Sequence, residues 1–373
     1  MSSVAVVAMD IHKRFSKAVT FDTEGTVVET QTVGHQSHDT MRAFLQQFAQ
    51  GTPVIMEATF NWPWITDLAE AVGLAPHLAH PLRAREMAAG MAKTDRKDAI
   101  FLGRLWLAGD VFPEAYLAPP HVRTMRARFR TRLLLVHMRT MLKNSIHGIL
   151  HKYGLLVDDA TDLFGLKGRH RLTQLELPVH ARSELDQKLA VLDDLTRHIQ
   201  TAEQILRQEL PHDPRAERLR SIPGIGPLIA YGMLAEIGEL ARFPCSRALA
   251  AYAGLLPLDR ESAATARPKH TSRRCNHFLR WMALEAVTGA VRSSPRFQSL
   301  VERVRAKNRS MPGKARVAVA REILELVFVL LRKDQNYQEI PPARPGVSRP
   351  VSAPRPHHRA SSTFVSARSS SRS

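Results

Sequence analysis

The chain has 373 residues, 44% of them hydrophobic, which is enough for two or three domains with buried cores. Its 53 Lys and Arg against 35 Asp and Glu leave a net charge of +18, which favours a polyanionic partner, because each cation set on a phosphate releases counterions. The richest late apolar run, residues 324–331, is short and holds Glu325, and Cys245 and Cys275 supply neither a disulfide framework nor a metal knuckle, so membrane-spanning and disulfide-scaffold classes are excluded and a reducing cytoplasm is expected.

Residues 4–10 (VAVVAMD) are apolar and β-branched, end on an acid, and lack a basic leader or cleavage site. They read as a buried strand rather than a signal peptide. Residues 17–33 alternate on either side of Asp22-Thr23-Glu24-Gly25 and predict a hairpin. There follow a helix near 40–49, a short strand at 53–57 (PVIME) ending on Glu57, a helix near 63–72, a strand at 75–79, a helical stretch near 82–92 and an amphipathic helix over 93–109. Three meandering strands followed by alternating helix and strand is the ribonuclease-H-like (RuvC-like) order, so residues 1–115 are expected to form an α/β domain.

Residues 116–210 predict a mainly α-helical, coiled-coil region. Within it, 121–152 carries eight Lys and Arg and no acid, with Met125, Phe129, Leu133, Val136 and Leu142 at near-helical spacing. Residues 184–209 have coiled-coil-like spacing, which suits a helical hairpin inside one domain or an arm that joins subunits. Pro211 and Pro214 mark a boundary, and 211–337 predicts an α-helical C-terminal domain. The last segment, 338–373, is rich in Ser and Pro, and from 341 on it has six Arg and no acid, so it is expected to be a disordered basic tail. Without those six arginines the rest of the chain still carries +12.

Four acids stand out. Asp10 and Glu57 end strands, and Asp95 and Asp98 lie three apart on one helix face. Strand ends point to one edge of a layered sheet, where a packed helix can deliver two more carboxylates. Such a cluster repels itself unless cations compensate, and hard oxygen ligands select Mg²⁺ or Mn²⁺. The plainer reading is that acids after strands start turns and that Asp95 and Asp98, beside Arg96 and Lys97, line a solvated face. Asp67, Glu70 and Glu86 read as surface residues.

In the second half, Ser221-Ile222-Pro223-Gly224-Ile225-Gly226-Pro227 looks like a helix-hairpin-helix turn. Its glycines, Gly224 and Gly226, would let backbone approach a phosphate at the next helix's N-terminus. The alternative is a tight helix connection without a ligand. Arg126, Arg130 and Lys143 are the basic-helix residues expected on nucleic-acid phosphates. Downstream, Ser262 opens a basic loop that holds Arg267, Lys269, Arg273 and Arg274. A serine there can attack a phosphodiester if cations neutralise the phosphate, although most loop serines only cap or solvate.

These blocks together resemble the DEDD-type insertion-sequence transposases, also called bridge-RNA-guided recombinases. The resemblance rests on AMDIHKRFSKAV, VIMEAT and AKTDRKDA in the first half. In the second it rests on IPGIGPLIA, FPCSRALAAYAGLLP, HTSRRCNHFLRWMALEA and GKARVAVAREILELVFVLLR. It implies a RuvC-like domain whose acids are Asp10, Glu57, Asp95 and Asp98, holding Mg²⁺ or Mn²⁺, and a C-terminal transposase domain whose nucleophile is Ser262. The chain has Ala263 and Cys275 where the family commonly has glycine. The resemblance further implies a covalent phosphoserine intermediate, DNA (element ends and target) and a noncoding guide RNA as partners, a dimer or tetramer, and a nucleoid-associated location without a membrane. A Holliday-junction nuclease would use the same carboxylates on water and spare Ser262. A non-catalytic nucleic-acid-binding protein would tolerate loss of Asp10.

Overall fold

The computed structural model describes residues 4–88, 94–109, 111–156, 162–210, 213–256, 275–307 and 313–339. The basic tail from 340 on, and Ser262, Arg267, Lys269, Arg273 and Arg274, lie outside these residues.

The first half is built on one mixed sheet in the order β3-β2-β1-β4-β5-β6. β1 (Val4–Ile11), β2 (Phe15–Asp22) and β3 (Val27–Gly34) meander antiparallel. The Asp22 carboxylate accepts the N–H groups of Glu24 and Thr26 at 3.0 and 2.8 Å, and Gly25 takes φ +80, which closes the expected hairpin turn. β4 (Pro53–Glu57) then pairs parallel to β1, β5 (Ala75–Ala79) parallel to β4, and the two-residue β6 (Glu114–Ala115) antiparallel to β5. Sequence reasoning missed β6, since two residues carry no periodicity. This mixed sheet, followed by helices, is consistent with the ribonuclease-H-like expectation.

Strand alternation sorts the side chains into two layers. Val7, Met9, Val54 and Met56 pack under α1 (His38–Leu45) and α2 (Trp62–Ala71). Val6, Ala8, Ile55 and Ala79 face the other way, against Ala84 of α3 (Pro81–Met87) and Ala99 and Leu102 of α4 (Asp95–Leu107). Thr94 caps α4, its side chain accepting the Lys97 N–H.

α5 (Pro120–Lys152) and α7 (Val179–Glu209) form a long pair. Arg132 meets Glu203 near one end and Lys188 meets Ser145 toward the other, so the two run antiparallel. The α7 seam, Leu185, Leu189, Leu192, Leu195 and Ile199, runs in steps of four, three, three and four, which keeps it on one helix face. The distal half of the pair closes over α6 (Leu166–Gln174) through Ile146, Ile149, Leu150 and Leu172. Its base is rooted elsewhere: Phe129, Leu206 and Leu210 belong to the core formed by α8 (Pro214–Arg220), α9 (Pro227–Ile237), α10 (Ser246–Tyr252), α11 (His277–Ser293), α12 (Pro295–Lys307) and α13 (Gly313–Lys333). Residues 324–331 fall in α13, with Leu324, Val327 and Phe328 buried in that core. Among the described residues no helix is long and apolar enough to cross a membrane.

Candidate metal centre

The alternation that builds the α4 side of the sheet also delivers two acids to it. Asp10 continues the run Val6, Ala8, and Glu57 continues from Ile55, so both carboxylates emerge on the face that α4 covers. β1 and β4 are parallel neighbours with Met9 opposite Met56, so Asp10 and Glu57 each lie one residue beyond a paired position. Asp95 and Asp98 sit in the first turn of α4, each one turn before a buried residue that docks the helix, Ala99 and Leu102 respectively. The helix N-terminus also favours negative charge there.

The resulting cluster is tight. One oxygen each from Asp10 and Asp95 and one nitrogen of His12 lie within 4.8 Å of one another. Asp98 is close enough for its charge to act on Asp10. Burial pushes the Asp10 carboxyl above the ordinary aspartate range; the His12 ring opposes this, and the charges of Asp98 and Asp95 add to it. Asp10 and Asp95 are thus brought together directly, Asp98 lies within electrostatic reach of Asp10, and strand register puts Glu57 on the same sheet face. A site of partly buried to exposed, mutually repelling oxygen donors fits a divalent cation, which would relieve that repulsion.

His12 was not foreseen as part of this site. It follows Asp10 by two residues, which places it on the same side of the strand end, and that spacing was the available signal. Its Nε2 lies 3.1 Å from Asp10 Oδ2 and 3.4 Å from Asp95 Oδ2.

The residues expected on phosphates divide differently. The Arg126 guanidinium donates to the carbonyls of Ala235 and Glu236 at 2.7 and 3.1 Å, and burial lowers its pKa. Arg130 makes a two-pronged bond, 2.8 and 2.9 Å, to the fully buried Glu236 carboxylate. Both hold the end of α9; Arg126 is mostly covered, whereas Arg130 pairs with Glu236 while its side chain stays partly exposed. Lys143 sits over the Phe164 ring at 4.6 Å. Asp67 and Glu70, read from sequence as surface acids, grip Arg123 and so tie α2 to α5.

Gly224 has φ +90, and a Cβ there would lie 2.2 Å from the Ala286 carbonyl oxygen of α11. Its missing side chain serves close packing on a helix, a different use from approach to a phosphate. Gly226 is exposed, with nothing near a built Cβ, and it caps α9 without a side-chain hydrogen bond. At the other end of α9, Asn276 caps α11, its side-chain oxygen accepting the Leu279 N–H at 2.9 Å and its amide nitrogen donating to Glu236 at 2.7 Å. The Asn276 N–H also bonds the Tyr252 carbonyl at 2.8 Å, which ties together the two ends of the stretch that contains Ser262.

Comparison with known proteins agrees with both halves. An IS110-type DEDD family model, described as "Transposase", matches residues 7–154, and a model described as "Transposase IS116/IS110/IS902 family" matches residues 216–302. The chain is 25% identical to the transposase for insertion sequence element IS1111A of Coxiella burnetii, over 91% of this chain and 92% of that protein. It is 23% identical to an uncharacterized 43.6 kDa protein of insertion element IS110 from Streptomyces coelicolor, over 74% and 72% of the two chains. With an uncharacterized 44.8 kDa protein of IS116 from Streptomyces clavuligerus it shares 28% identity, over 46% of this chain and 43% of that one.

Proposed function

The chain belongs to the IS116/IS110/IS902 family of insertion-sequence transposases, and from that membership we propose that it moves its element by a serine-linked strand exchange guided by a noncoding RNA. The observation that carries the metal-dependent part is the convergence of Asp10, Asp95 and Asp98, with Glu57 adjacent in register, on one edge of the sheet.

Asp10, Glu57, Asp95 and Asp98 hold Mg²⁺ or Mn²⁺, which when bound supplies Lewis-acid stabilisation of charge on the phosphodiester and its attacking and leaving oxygens. Ser262 is the nucleophile. Its Oγ forms a bond to phosphorus as a DNA P–O bond breaks, leaving the strand esterified to the protein and a free hydroxyl on the other DNA end. A hydroxyl of the second DNA then attacks the same phosphorus and releases the serine. One phosphodiester is broken and one made, so no ATP is required. Arg267, Lys269, Arg273 and Arg274 neutralise the phosphate. The composite site forms between subunits of a dimer or tetramer, because the serine and the carboxylates belong to different domains.

Sequence choice lies in base pairing by the guide RNA, and the protein reads backbone and shape, as other RNA-guided systems do. Support for phosphate contact outside the loop comes from the exposed start of α9 at Gly226, within a helix-hairpin-helix-like connection. Arg126 and Arg130 support the architecture beneath. The protein works in the cytoplasm on nucleoid DNA.

The test is a two-plasmid recombination assay in which one plasmid carries the gene's flanking DNA with its noncoding segment. The expected result is joined product that depends on that segment, on Asp10 and on Ser262. Recombination that persists after the segment is deleted would remove the RNA from the account; persistence in Asp10→Asn would remove the metal site.

A further inference from the structure

We propose that His12 is itself a ligand of the ion, and that its nitrogen biases the site from Mg²⁺ toward Mn²⁺. The inference rests on the carboxylate metal-site reading above and adds to it a donor of a different chemical kind.

Three observations support it. The first is aim. The His12 N–H bonds the Phe15 carbonyl at 2.9 Å, and the Asn61 side chain donates to the His12 carbonyl at 2.9 Å, so the backbone is held from both sides. The ring rests against Phe15 with centroids 4.6 Å apart. These contacts leave Nε2 directed at Asp10 and Asp95.

The second is spacing. Nε2 lies 3.1 Å from Asp10 Oδ2 and 3.4 Å from Asp95 Oδ2. Adjacent ligands of an octahedral ion with bonds of about 2.1 Å are about 3 Å apart, so these separations match donor atoms that share one cation.

The third is an unmet need. Nε2 is buried and makes no well-formed hydrogen bond; its near neighbours are the Asp10 and Asp95 carboxylate oxygens, at contact distances of 3.1 and 3.4 Å. A buried polar atom without a partner is costly. A lone pair directed at a shared cation would satisfy it.

The chemistry of the donors sets the selectivity. Carboxylates suit Mg²⁺ and Mn²⁺ alike, whereas imidazole suits first-row transition ions, and Mg²⁺ dehydrates reluctantly and prefers oxygen. A mixed N,O site therefore favours Mn²⁺ more than four carboxylates alone would.

The experiment uses the full chain without nucleic acid and Mn²⁺ as the probe. Pulsed electron paramagnetic resonance of bound Mn²⁺ reads nitrogen hyperfine coupling, and competition titration reads the Mn²⁺ to Mg²⁺ affinity ratio. The expected result is an imidazole nitrogen coupling in the wild type. His12→Gln, which presents an amide oxygen at a similar reach, should keep an ion, lose the coupling and lower the affinity ratio by about tenfold. Asp10→Asn should bind Mn²⁺ far more weakly than the wild type.

A wild-type spectrum without nitrogen coupling overturns the proposal whether or not any variant folds. So does a coupling or an affinity ratio that survives in His12→Gln. If Mn²⁺ binding depends on Asp10 while His12 proves indifferent, the carboxylate site stands and the His12 assignment falls. If Asp10→Asn binds Mn²⁺ as the wild type does, the carboxylate reading fails as well.

Discussion

Asp10 is held in a conformation that favours its neutral form. Burial and the charges of Asp98 and Asp95 raise its folded-state pKa above the ordinary aspartate value, with His12 opposing. The folded protein therefore binds this proton more tightly than the unfolded chain does. The associated stability is present below the ordinary aspartate pKa and is lost as pH climbs from there through the raised value. At neutral pH without metal, the carboxylate charge weakens the fold. Asp10→Asn should accordingly raise the metal-free Tm by a few degrees, and Mn²⁺ should raise the Tm of the wild type but not of the variant, as checked by calorimetry at pH 7. A metal-free Tm that falls in Asp10→Asn would mean that the charge is already compensated inside the protein. The proximity of Asp10 and Asp95 was legible in the sequence because one lies at the end of an apolar strand and the other in the first turn of a helix that packs there. His12 was passed over because a lone histidine beside Lys13 and Arg14 gives no sign of which way its ring points; only the contacts with Phe15 and Asn61 settle that.

Elements in this protein are spaced by glycines and fastened by arginines. A Cβ on Gly103 would meet the Phe21 ring at 2.2 Å, so this glycine lets α4 lie close to β2 and carry Asp95 and Asp98 to the strand ends. Gly224 plays the same part between the α8–α9 turn and α11. Gly224→Ala adds both a positive-φ penalty and an overlap with the Ala286 carbonyl, and should cost about 2–3 kcal/mol. Gly226→Ala should cost about 1 kcal/mol or less, because only cap preference is lost. Urea unfolding of the two variants reads the difference, and equal losses would contradict the separate roles assigned to the glycines. The turn was legible from its composition, but the use of each glycine was not. Sequence spacing cannot say whether bare backbone faces a ligand or another helix. The same limit applies to the basic run 121–152: Arg130 pairs with Glu236 and Arg132 with Glu203, both remote in sequence, so a local absence of acids does not reveal these pairings.

At the scale of the whole chain, the α/β half and the helical half meet through Arg123, whose guanidinium bonds Asp67 and Glu70 of α2, and through Tyr116, whose hydroxyl accepts the Glu239 N–H at 3.1 Å. The order of elements in the first half was readable because strand and helix periods differ and the turns carry Asp and Gly. The rooting of α5 and α7 in the C-terminal core was not readable. α7 carries one apolar seam, whereas the apolar residues of α5 are spread around the helix, and which partner each half of α5 packs against depends on contacts with residues remote in sequence, such as Phe129 with Gly232. The account joins a carboxylate cluster in one half to a serine in the other, and the most direct measurement asks whether both are needed for one bond. Protein, flanking-segment RNA and nicked element-end DNA are mixed with Mn²⁺, denatured, and separated to find DNA that remains attached to protein. A covalent adduct is expected with the wild type, and its loss is expected in both Ser262→Ala and Asp10→Asn while nucleic-acid binding is retained in a mobility shift. Cutting and rejoining of DNA by Ser262→Ala, with no adduct in any sample, would contradict the account and replace it with water activated at the carboxylates.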